Sequence, residues 1–391
     1  MTQKATESVV VQPGSTIGIL GSGQLGRMMA IAAKQMGYRV HVFSSSQDSP
    51  AGQVADLEVV AALEDLDAVR DFADQVDVVT VETENIPLET LDVVLAQCEA
   101  CPSRIALETC QNRGLEKQFL SDSGIPTPEF KIIRTLAELQ EACSKLMPGV
   151  LKTITGGYDG KGQAVIRSES DIEEAWRSLN ADEAILEEWI EFDFEFSIVG
   201  ARNYAGSMTA YPSIRNDHQN GILDVSVSPS GLKNDANNTA ISIVNDIMDK
   251  LESVGILTVE FFNRNGEILV NEIAPRPHNS GHLTLEGHMT TQFEQHIRAV
   301  CGLMLGSTEQ IKPVAMANLL GDEWSDGTPN WDSALSVANT KLHLYGKKAP
   351  LPGRKMAHLT SIADSPEKAR EHVLEARRML SSTRAELAKT S

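Results

Sequence analysis

Residues 257–282 constrain the fold of this chain most strongly, because two apolar runs there flank a short turn. Asn-Gly between alternating hydrophobic residues is the strongest short-range signal for a β-hairpin, and it stands at Asn265-Gly266. Each predicted strand carries a carboxylate, Glu260 in the first and Glu272 in the second. The chain then breaks into the stiff segment Pro-Arg-Pro-His at 275–278.

The length of the turn decides whether the two carboxylates share a face, because side chains alternate between faces along a strand. A two-residue turn would pair residue 264 with 267 and place Glu260 and Glu272 on opposite faces. A three-residue loop over 265–267 would oppose them directly, with their Cβ atoms about 5 Å apart. Carboxylates that close repel unless a cation or a proton lies between them, and oxygen ligands favour Mg²⁺ or Mn²⁺. The sequence therefore leaves open either a metal site or two unrelated, solvent-facing glutamates.

The composition bounds the class of protein. The chain has 391 residues, 41% of them hydrophobic and 23% charged, which is globular and long enough for two or three domains. A net charge of −20 argues against a nucleic-acid-binding surface, so local cations and backbone amides must hold any anionic ligand. No apolar run approaches the roughly 20 residues of a membrane span. Five cysteines, an odd number, predict reduced thiols and a cytoplasmic location.

A βαβ pattern with a glycine-rich turn begins at residue 16. Residues 16–20 predict a buried strand, residues 21–26 read Gly-Ser-Gly-Gln-Leu-Gly, and a helical pattern follows to about Met36. Such glycines let the backbone approach a ligand, and a helix N-terminus favours an anion. A dinucleotide site also needs an acid where the second strand ends, but Phe43 is followed by three serines. A tight strand-to-helix turn is therefore as consistent with this pattern as a ligand site.

Glu82 follows the strand predicted over 77–81. Ligands of open α/β sheets bind beyond the carboxyl ends of strands, so Glu82 and the glycine turn are expected to share one crevice. The alternative is a carboxylate that a helix N-terminus stabilises.

A second glycine-rich segment follows the strand predicted over 150–154. Residues 155–163 read Thr-Gly-Gly-Tyr-Asp-Gly-Lys-Gly-Gln, and another strand follows. This is not a Walker loop, because Lys161 precedes a glycine and no helix follows. A glycine-rich hairpin with lysines, including Lys152 on the preceding strand, predicts a mobile lid over phosphates rather than an ordinary flexible hairpin. Residues 184–190 predict a strand that could offer its backbone to an adenine edge.

Four stretches resemble a known family of enzymes: GSGQLGRM (21–28), TGGYDGKGQ (155–163), NEIAPRPHNSGH (271–282) and PGRK (352–355). They are similar to the ATP-grasp enzymes and, among these, to the 5-(carboxyamino)imidazole ribonucleotide synthase family of purine biosynthesis. The resemblance runs from about residue 16 to about residue 365. It implies an α/β (α+β) ATP-grasp fold with an N-terminal Rossmann-like open parallel sheet, an ATP-grasp lid and core, and a small C-terminal β-rich module.

The resemblance also divides the chain. It implies a flexible tail at 1–15, a pre-ATP-grasp domain at 16–109, an ATP-grasp domain at 110–310 with a lid at roughly 130–187, and a C-terminal module at 311–391.

The same resemblance implies the site residues. ATP would contact Arg113, Lys152, Gly157, Tyr158, Asp159, Gly160, Lys161, Gly162, Gln163, Glu187, Glu188, Trp189, Ile190, Glu195, His218, Asn271 and Glu272. Mg²⁺ or Mn²⁺ would bind Glu260 and Glu272. The aminoimidazole ribonucleotide would contact Gln24, Leu25 and Glu82, with its phosphate on Lys347, Arg354 and Lys355. The catalytic set would be Tyr158, Asp159, Lys161, Arg276, His278 and Lys355, where Arg276 and His278 meet bicarbonate.

The activity implied is ATP- and bicarbonate-dependent carboxylation of 5-aminoimidazole ribonucleotide through carboxyphosphate, by a cytoplasmic homodimer that binds neither nucleic acid nor membrane. Lys161 is a mild departure, because related sequences often have arginine there, although lysine keeps the charge. Two alternatives are a related ligase, such as formate-dependent glycinamide ribonucleotide transformylase, and a nucleotide-binding oxidoreductase or regulator built on the first module.

Overall fold

The computed structural model describes residues 10–157 and 160–381. The N-terminal part is a five-stranded sheet in the order β3-β2-β1-β4-β5, with every described pair parallel. This confirms the predicted Rossmann-like sheet. Its elements are β1 (Thr16–Leu20), α1 (Gln24–Gln35), β2 (Arg39–Ser44), β3 (Leu57–Val60), α2 (Leu66–Ala73), β4 (Val78–Val81), α3 (Leu88–Leu95), β5 (Glu99–Cys101) and α4 (Arg104–Gln111).

Part of the predicted flexible tail is packed against the fold. Residues 1–9 lie outside the described ranges, but Val11 is buried. Its amide donates to the carbonyl of Cys301 at 2.9 Å, and its carbonyl accepts from the Tyr38 hydroxyl at 2.8 Å. The prediction of a loose tail therefore does not hold at Val11, whose apolar side chain lies in the core, whereas Val10 and residues 12–14 are exposed.

The lid is a four-stranded antiparallel sheet in the order β6-β9-β7-β8. It has its own apolar core, which includes Ile133, Leu151 and Leu186. A body with its own core can change position without losing its packing. The elements here are α5 (Arg113–Asp122), which precedes the sheet, then β6 (Phe130–Ile133), α6 (Leu136–Cys143), β7 (Gly149–Thr153), β8 (Gln163–Ile166), α7 (Ile172–Leu179) and β9 (Ala184–Glu188).

The remaining strands form one nine-stranded sheet in the order β15-β14-β10-β12-β13-β16-β18-β17, with β11 on β10. The C-terminal strands do not form a separate sheet, because Ala317 of β16 pairs with Val225 of β13. The elements are β10 (Phe194–Arg202), β11 (Met208–Ala210), β12 (Ile214–Gln219), β13 (Ile222–Ser228), α8 (Asn234–Lys250), β14 (Gly255–Arg264), β15 (Glu267–Ala274), α9 (Thr284–Gly287), α10 (Gln292–Val300), β16 (Val314–Leu320), α11 (Trp331–Leu335), β17 (Thr340–Leu344), β18 (Lys355–Ile362) and α12 (Pro366–Arg378).

The β14–β15 hairpin combines the two registers that the sequence presented as alternatives. Arg264 pairs with Glu267 across a two-residue turn, and Asn265 and Gly266 have φ angles of 53° and 90°, as a type I′ turn requires. The pairing then shifts by one residue, so that Glu260 lies opposite Glu272. The expectation that a two-residue turn separates the carboxylates is wrong, because a β-bulge on β15 restores their pairing.

His296 joins the parallel sheet to the nine-stranded sheet. Its Nδ1 accepts from the Ile256 amide at 3.0 Å, so its Nε2 carries the proton and donates to Thr80 Oγ1 at 2.7 Å. Burial lowers the pKa of His296 to about 3. The ring therefore stays neutral in the folded protein at pH values where it is protonated in the unfolded chain.

We expect His296→Gln to reduce the loss of stability in acid. Between pH 6.5 and about 3 the unfolded state binds a proton at this position that the folded state does not. The histidine therefore lowers the free energy of unfolding by about 1.4 kcal/mol for each pH unit of acidification. The stability difference between the parent and His296→Gln should shrink by about 2 kcal/mol from pH 6.5 to pH 5. Urea unfolding at both pH values measures it, and a constant difference would contradict the assignment.

Candidate functional site

The glycine-rich turn after β1 is filled by a carboxylate of the protein itself. Glu82 accepts from the Gly23 amide at 2.6 Å through Oε1 and from the Gly26 amide at 2.8 Å through Oε2. A Cβ on Gly23 would lie 2.9 Å from Glu82 Oε1, and one on Gly26 would lie 3.0 Å from Oε2. The N-terminus of α1 is thus neutralised by Glu82, which leaves no place for a dinucleotide pyrophosphate at these amides.

Beside this turn, Gln24 of α1 contacts the loop between β17 and β18, residues 345–354, which we call the C-terminal loop. Its Oε1 accepts from Lys347 Nζ at 2.9 Å, and Lys347 also donates to the carbonyl of Lys355. The Gln24 amide lies 3.4 Å from Nε2 of His282, a buried ring. Of the predicted ribonucleotide set, Gln24, Lys347 and the Lys355 backbone are therefore in contact.

Two other members of that set have different surroundings. Leu25 packs against the apolar core of the N-terminal part. Arg354 is exposed, and its guanidinium donates to the carbonyl of Ala349 at 3.1 Å. Arg354 thus stands at the rim of the crevice, held to its own loop.

Arg276, which follows β15, forms a bidentate ion pair with Glu84. The guanidinium Nη2 lies 3.1 Å from Oε1, and Nε donates to Oε2. The side chains are 16% and 22% exposed. Burial alone would raise the pKa of Glu84, but Arg276 outweighs burial and lowers it. Glu84 therefore fixes the orientation of Arg276 from the end of the strand that also carries Glu82.

The opposed carboxylates lie next to two imidazoles. Glu260 Oε1 is 3.5 Å from His278 Nε2, and the Nδ1 of His278 is 2.9 Å from Ser280 Oγ. Burial raises the pKa of Glu260 to about 7, and the charge of Glu272 adds to this rise. Burial, followed by the charge of Arg276, lowers the pKa of His278 well below 6.5. The site therefore holds carboxylates under mutual repulsion beside a neutral imidazole.

His218, on β12, is the charged imidazole of the site. Its Nδ1 donates to Glu195 Oε2 at 2.6 Å. Burial would lower the pKa of His218, but Glu195 and Glu260 raise it to about 9. His218 is therefore a cation at neutral pH, and the structure brings it together with Glu195 and Glu260.

A buried ion cluster joins the lid to the core. Lys152 Nζ on β7 lies 2.9 Å from Glu187 Oε2, and Lys117 Nζ on α5 lies 3.5 Å from the same oxygen. Burial alone would raise the pKa of Glu187, but the two ammonium groups lower it to about 2. Glu187 Oε2 is thus held by these lysines, whereas Oε1 is buried and has no hydrogen-bond partner among the described residues.

Residues 187–190, which the resemblance implies as the hinge of the ATP site, are held by two backbone hydrogen bonds. The amides of Glu188 and Trp189 donate to the carbonyls of Glu129 and Pro148 at 2.8 and 3.1 Å. Trp189 is 36% exposed and lies under the guanidinium of Arg167, and Ile190 is buried.

The glycine-rich loop lies over this cluster. Arg113 Nη2 donates to the carbonyl of Gly157 at 2.7 Å, and the amide of Thr153 donates to Gly162 at 2.8 Å. A Cβ on Gly160 would lie 3.0 Å from the carbonyl oxygen of Asn220, in the turn after His218. The glycine-rich loop therefore lies close to the turn at 220–221, which joins β12 to β13. Gln163 and Lys161 continue it into β8, whereas the predicted catalytic residues Tyr158 and Asp159 lie outside the described residues.

We expect Gly160→Ala to raise the KM for ATP, the ligand that the resemblance implies for this loop, about tenfold relative to Gly156→Ala. Both glycines have positive φ, 75° and 74°, so both substitutions carry the same backbone strain of about 1–2 kcal/mol. Only Gly160 meets a neighbour, because no described atom lies within 4 Å of a Cβ on Gly156. Equal KM values for the two variants would show that the loop does not close against the Asn220 turn.

The sequence reasoning missed three groups that the structure places in the site: Glu84, Lys117 and His282. Glu84 had a signal, since it stands two residues beyond Glu82 at the same strand end. His282 is the last residue of the stretch NSGH, but its contact with Gln24 crosses 258 positions of sequence. Lys117 gave none, because a lysine on a helical pattern is expected at the surface.

Helices in the described part of the chain are all too short or too polar to cross a lipid bilayer.

Comparisons with known proteins agree with this arrangement. Family models match three consecutive segments: the ribonucleotide synthetase preATP-grasp domain at 14–111, the ATP-grasp domain at 118–293, and the phosphoribosylaminoimidazole carboxylase C-terminal domain at 314–372. An N5-carboxyaminoimidazole ribonucleotide synthase of Bacillus subtilis is 44% identical over 353 residues, 90% of this chain and 92% of that protein. One of Brucella melitensis is 40% identical over 356 residues, 90% of this chain and 97% of that protein.

Solved structures give the same result. The Staphylococcus aureus N5-carboxyaminoimidazole synthetase complexed with ADP has a TM-score of 0.90 at 33% identity, covering 96% of this chain and 100% of that one. The Aspergillus clavatus N5-carboxyaminoimidazole synthase in complex with ADP and 5-aminoimidazole ribonucleotide has a TM-score of 0.86 at 30% identity, covering 94% and 99%. This chain belongs to the N5-carboxyaminoimidazole ribonucleotide synthase family of ATP-grasp enzymes.

Proposed function

We propose that this protein uses ATP to carboxylate the amino group of 5-aminoimidazole ribonucleotide, with bicarbonate as the carbon source, in purine biosynthesis. The observation that carries the proposal is the position of β15. Its Glu272 lies opposite Glu260 of β14, and the neighbouring Asn271 carbonyl accepts from Lys117, which also approaches Glu187. The chain that leaves β15 carries Arg276, which pairs with Glu84 of the N-terminal part, and His278. One strand thus runs between a nucleotide site and a second substrate site.

ATP would lie between the lid and the nine-stranded sheet. Lys152 and Arg113 supply positive charge toward its phosphates, and the hinge offers the Ile190 backbone to the adenine edge. The charged ring of His218, held by Glu195, stands at the same site. The proposal includes the ATP contacts that the resemblance implies for the lid and hinge. It also includes an ATP-grasp domain at 110–310 with its lid at roughly 130–187.

The two opposed carboxylates fit a divalent cation. Glu260 and Glu272 are paired across the hairpin; burial, and to a smaller extent the charge of Glu272, raise the pKa of Glu260, and a bound cation would oppose both effects. Oxygen donors of this kind suit Mg²⁺, which would neutralise charge on the ATP phosphates during transfer. Asn271, the residue at the bulge, adds an amide beside them.

The ribonucleotide would occupy the crevice between the parallel sheet and the C-terminal loop. Lys347 donates to Gln24 and to the carbonyl of Lys355 there, and Arg354 precedes Lys355 at the end of the same loop. Glu82 holds the glycine turn that presents Gln24 and Leu25, so its contribution is to fix the backbone that they stand on.

Bicarbonate would meet Arg276 and His278. Glu84 holds the Nε–Nη2 edge of Arg276, so that the guanidinium has a fixed orientation toward the anion. Attack of a bicarbonate oxygen on the γ-phosphate would give carboxyphosphate and ADP. Carboxyphosphate would then lose inorganic phosphate as its carboxyl group passes to the ribonucleotide amine, which loses a proton. The lid, with Lys161, excludes the water that would hydrolyse this intermediate.

Phosphate release tests the assignment. We expect it to require ATP, bicarbonate and 5-aminoimidazole ribonucleotide together. Formate with glycinamide ribonucleotide serves as the control pair, because a related ligase would use it. ATP hydrolysis that ignores the aminoimidazole ribonucleotide, or that responds to the control pair, would overturn the proposal.

We also propose a cytoplasmic homodimer, as the resemblance to the family implies. Sedimentation equilibrium should give about twice the chain mass of 42.5 kDa, and a monomer at enzyme-assay concentrations would contradict it.

A further inference from the structure

The strand β15, which carries Glu272, lies at the edge of the nine-stranded sheet. An edge strand presents backbone groups without a neighbouring strand, and these need other partners when they are buried. Here the partners come from α5 and the segment after it. The Val270 amide donates to the carbonyl of Pro126 at 2.8 Å, and the Val270 carbonyl accepts from Thr127 Oγ1 at 2.8 Å.

Charged side chains satisfy the next two backbone groups along the edge. Lys117 Nζ donates to the carbonyl of Asn271 at 2.7 Å. Glu116 Oε2 accepts from the amide of Ile273 at 3.1 Å. These are the carbonyl immediately before Glu272 and the amide immediately after it. Two adjacent residues of one helix therefore hold the backbone on both sides of that glutamate.

The burial of these two side chains points to a purpose beyond covering an edge. Lys117 is 1% exposed and Glu116 is 3% exposed. Burying a carboxyl group and an ammonium group is costly: burial raises the pKa of Glu116 to about 8 and lowers that of Lys117. What charged groups add is strong, directional hydrogen bonding to specific backbone atoms.

The atoms that they hold are those of the β-bulge. Without the bulge, the two-residue turn would place Glu272 on the face opposite to Glu260. A bulge leaves ladder groups unpaired and needs local partners to persist in one place. Lys117 and Glu116 supply those partners at Asn271 and Ile273.

We propose that Lys117 and Glu116 are positioning residues that fix the bulge at Asn271, and thereby the opposition of Glu272 to Glu260. This inference rests on the proposed function, because it takes the two carboxylates to be cation ligands. Lys117 also lies 3.5 Å from Glu187 Oε2, the atom that Lys152 contacts. The same ammonium group thus connects the ligand strand with the lysine that faces the nucleotide.

The test measures Mn²⁺ binding to the full-length protein in the presence of ADP, by electron paramagnetic resonance. We expect Lys117→Met to weaken Mn²⁺ binding roughly tenfold or more, the usual effect of removing a group that orients a ligand. Gln118→Met is the matched control, because Gln118 is the next residue of α5 but is exposed and donates to Asp122 Oδ1 at 2.7 Å rather than to β15. It should bind Mn²⁺ as the parent does.

A second variant covers the case in which Lys117→Met does not fold. Glu116→Leu keeps Lys117 but removes the acceptor of the Ile273 amide, and it should also weaken Mn²⁺ binding about tenfold. Parent-like Mn²⁺ affinity in a folded Lys117→Met or Glu116→Leu protein would overturn the positioning role. Failure of the parent protein itself to bind Mn²⁺ with ADP would instead overturn the metal assignment in the proposed function.

Discussion

Replacing Glu272 by alanine is expected to abolish carboxylation, with a loss of about a thousandfold or more in kcat, while the protein stays folded. Glu272 lies opposite Glu260 across the hairpin, and its negative charge contributes to the raised pKa of Glu260. Removing one carboxylate would leave the proposed cation with one of its two proposed protein ligands. Charge on the transferring phosphoryl group would then go uncompensated.

The stability of Glu272→Ala should equal or exceed that of the parent, because the substitution removes a like charge from beside Glu260. Thermal unfolding and phosphate release therefore need to be measured on the same preparation. Glu267→Ala is the matched control, since Glu267 lies on the same strand with a side chain that is 58% exposed, in an ion pair with Arg264. The control should retain full activity. Parent-like phosphate release by Glu272→Ala would remove the metal role.

The hairpin shows how far periodicity reaches. Alternation and the Asn-Gly pair predicted the two strands and the turn, and the structure confirms both. The register could not be predicted from them, because one inserted residue reverses every face beyond it. The bulge is held by Lys117 and Glu116, which lie more than 150 positions earlier in the chain.

The glycine turn illustrates a different limit. The sequence predicted that Gly21 to Gly26 and Glu82 share a crevice, and they do. It left open whether an external anion binds the helix N-terminus. The answer depends on 2.6 and 2.8 Å contacts between a side chain and two amides, which no local pattern encodes. The motif thus predicted that Glu82 lies near the glycine turn, but only the structure shows that its carboxylate occupies the amides of the turn.

Replacing Arg276 by methionine should destabilise the protein by about 3 kcal/mol, because Glu84 is then left largely buried without its ion-pair partner. It should also stop carboxylation, because the proposed contact with bicarbonate is lost. These two losses have different causes, and the double variant Arg276→Met with Glu84→Leu separates them. Two apolar side chains of similar volume can replace an ion pair at little cost, so the double variant should regain most of its stability. It should not regain activity, since the guanidinium proposed to bind bicarbonate is missing from it.

Urea unfolding gives the free energies, and bicarbonate-dependent phosphate release gives the activities. The comparison needs the Glu84→Leu single variant as well. That variant keeps Arg276 but frees its Nε–Nη2 edge, so we expect it to bind bicarbonate with a raised KM rather than to lose turnover altogether. Recovery of activity together with stability in the double variant would mean that the pair serves the fold alone. Recovery of stability without activity assigns Glu84 to orientation and Arg276 to the anion, which is the division of labour that their bidentate geometry implies.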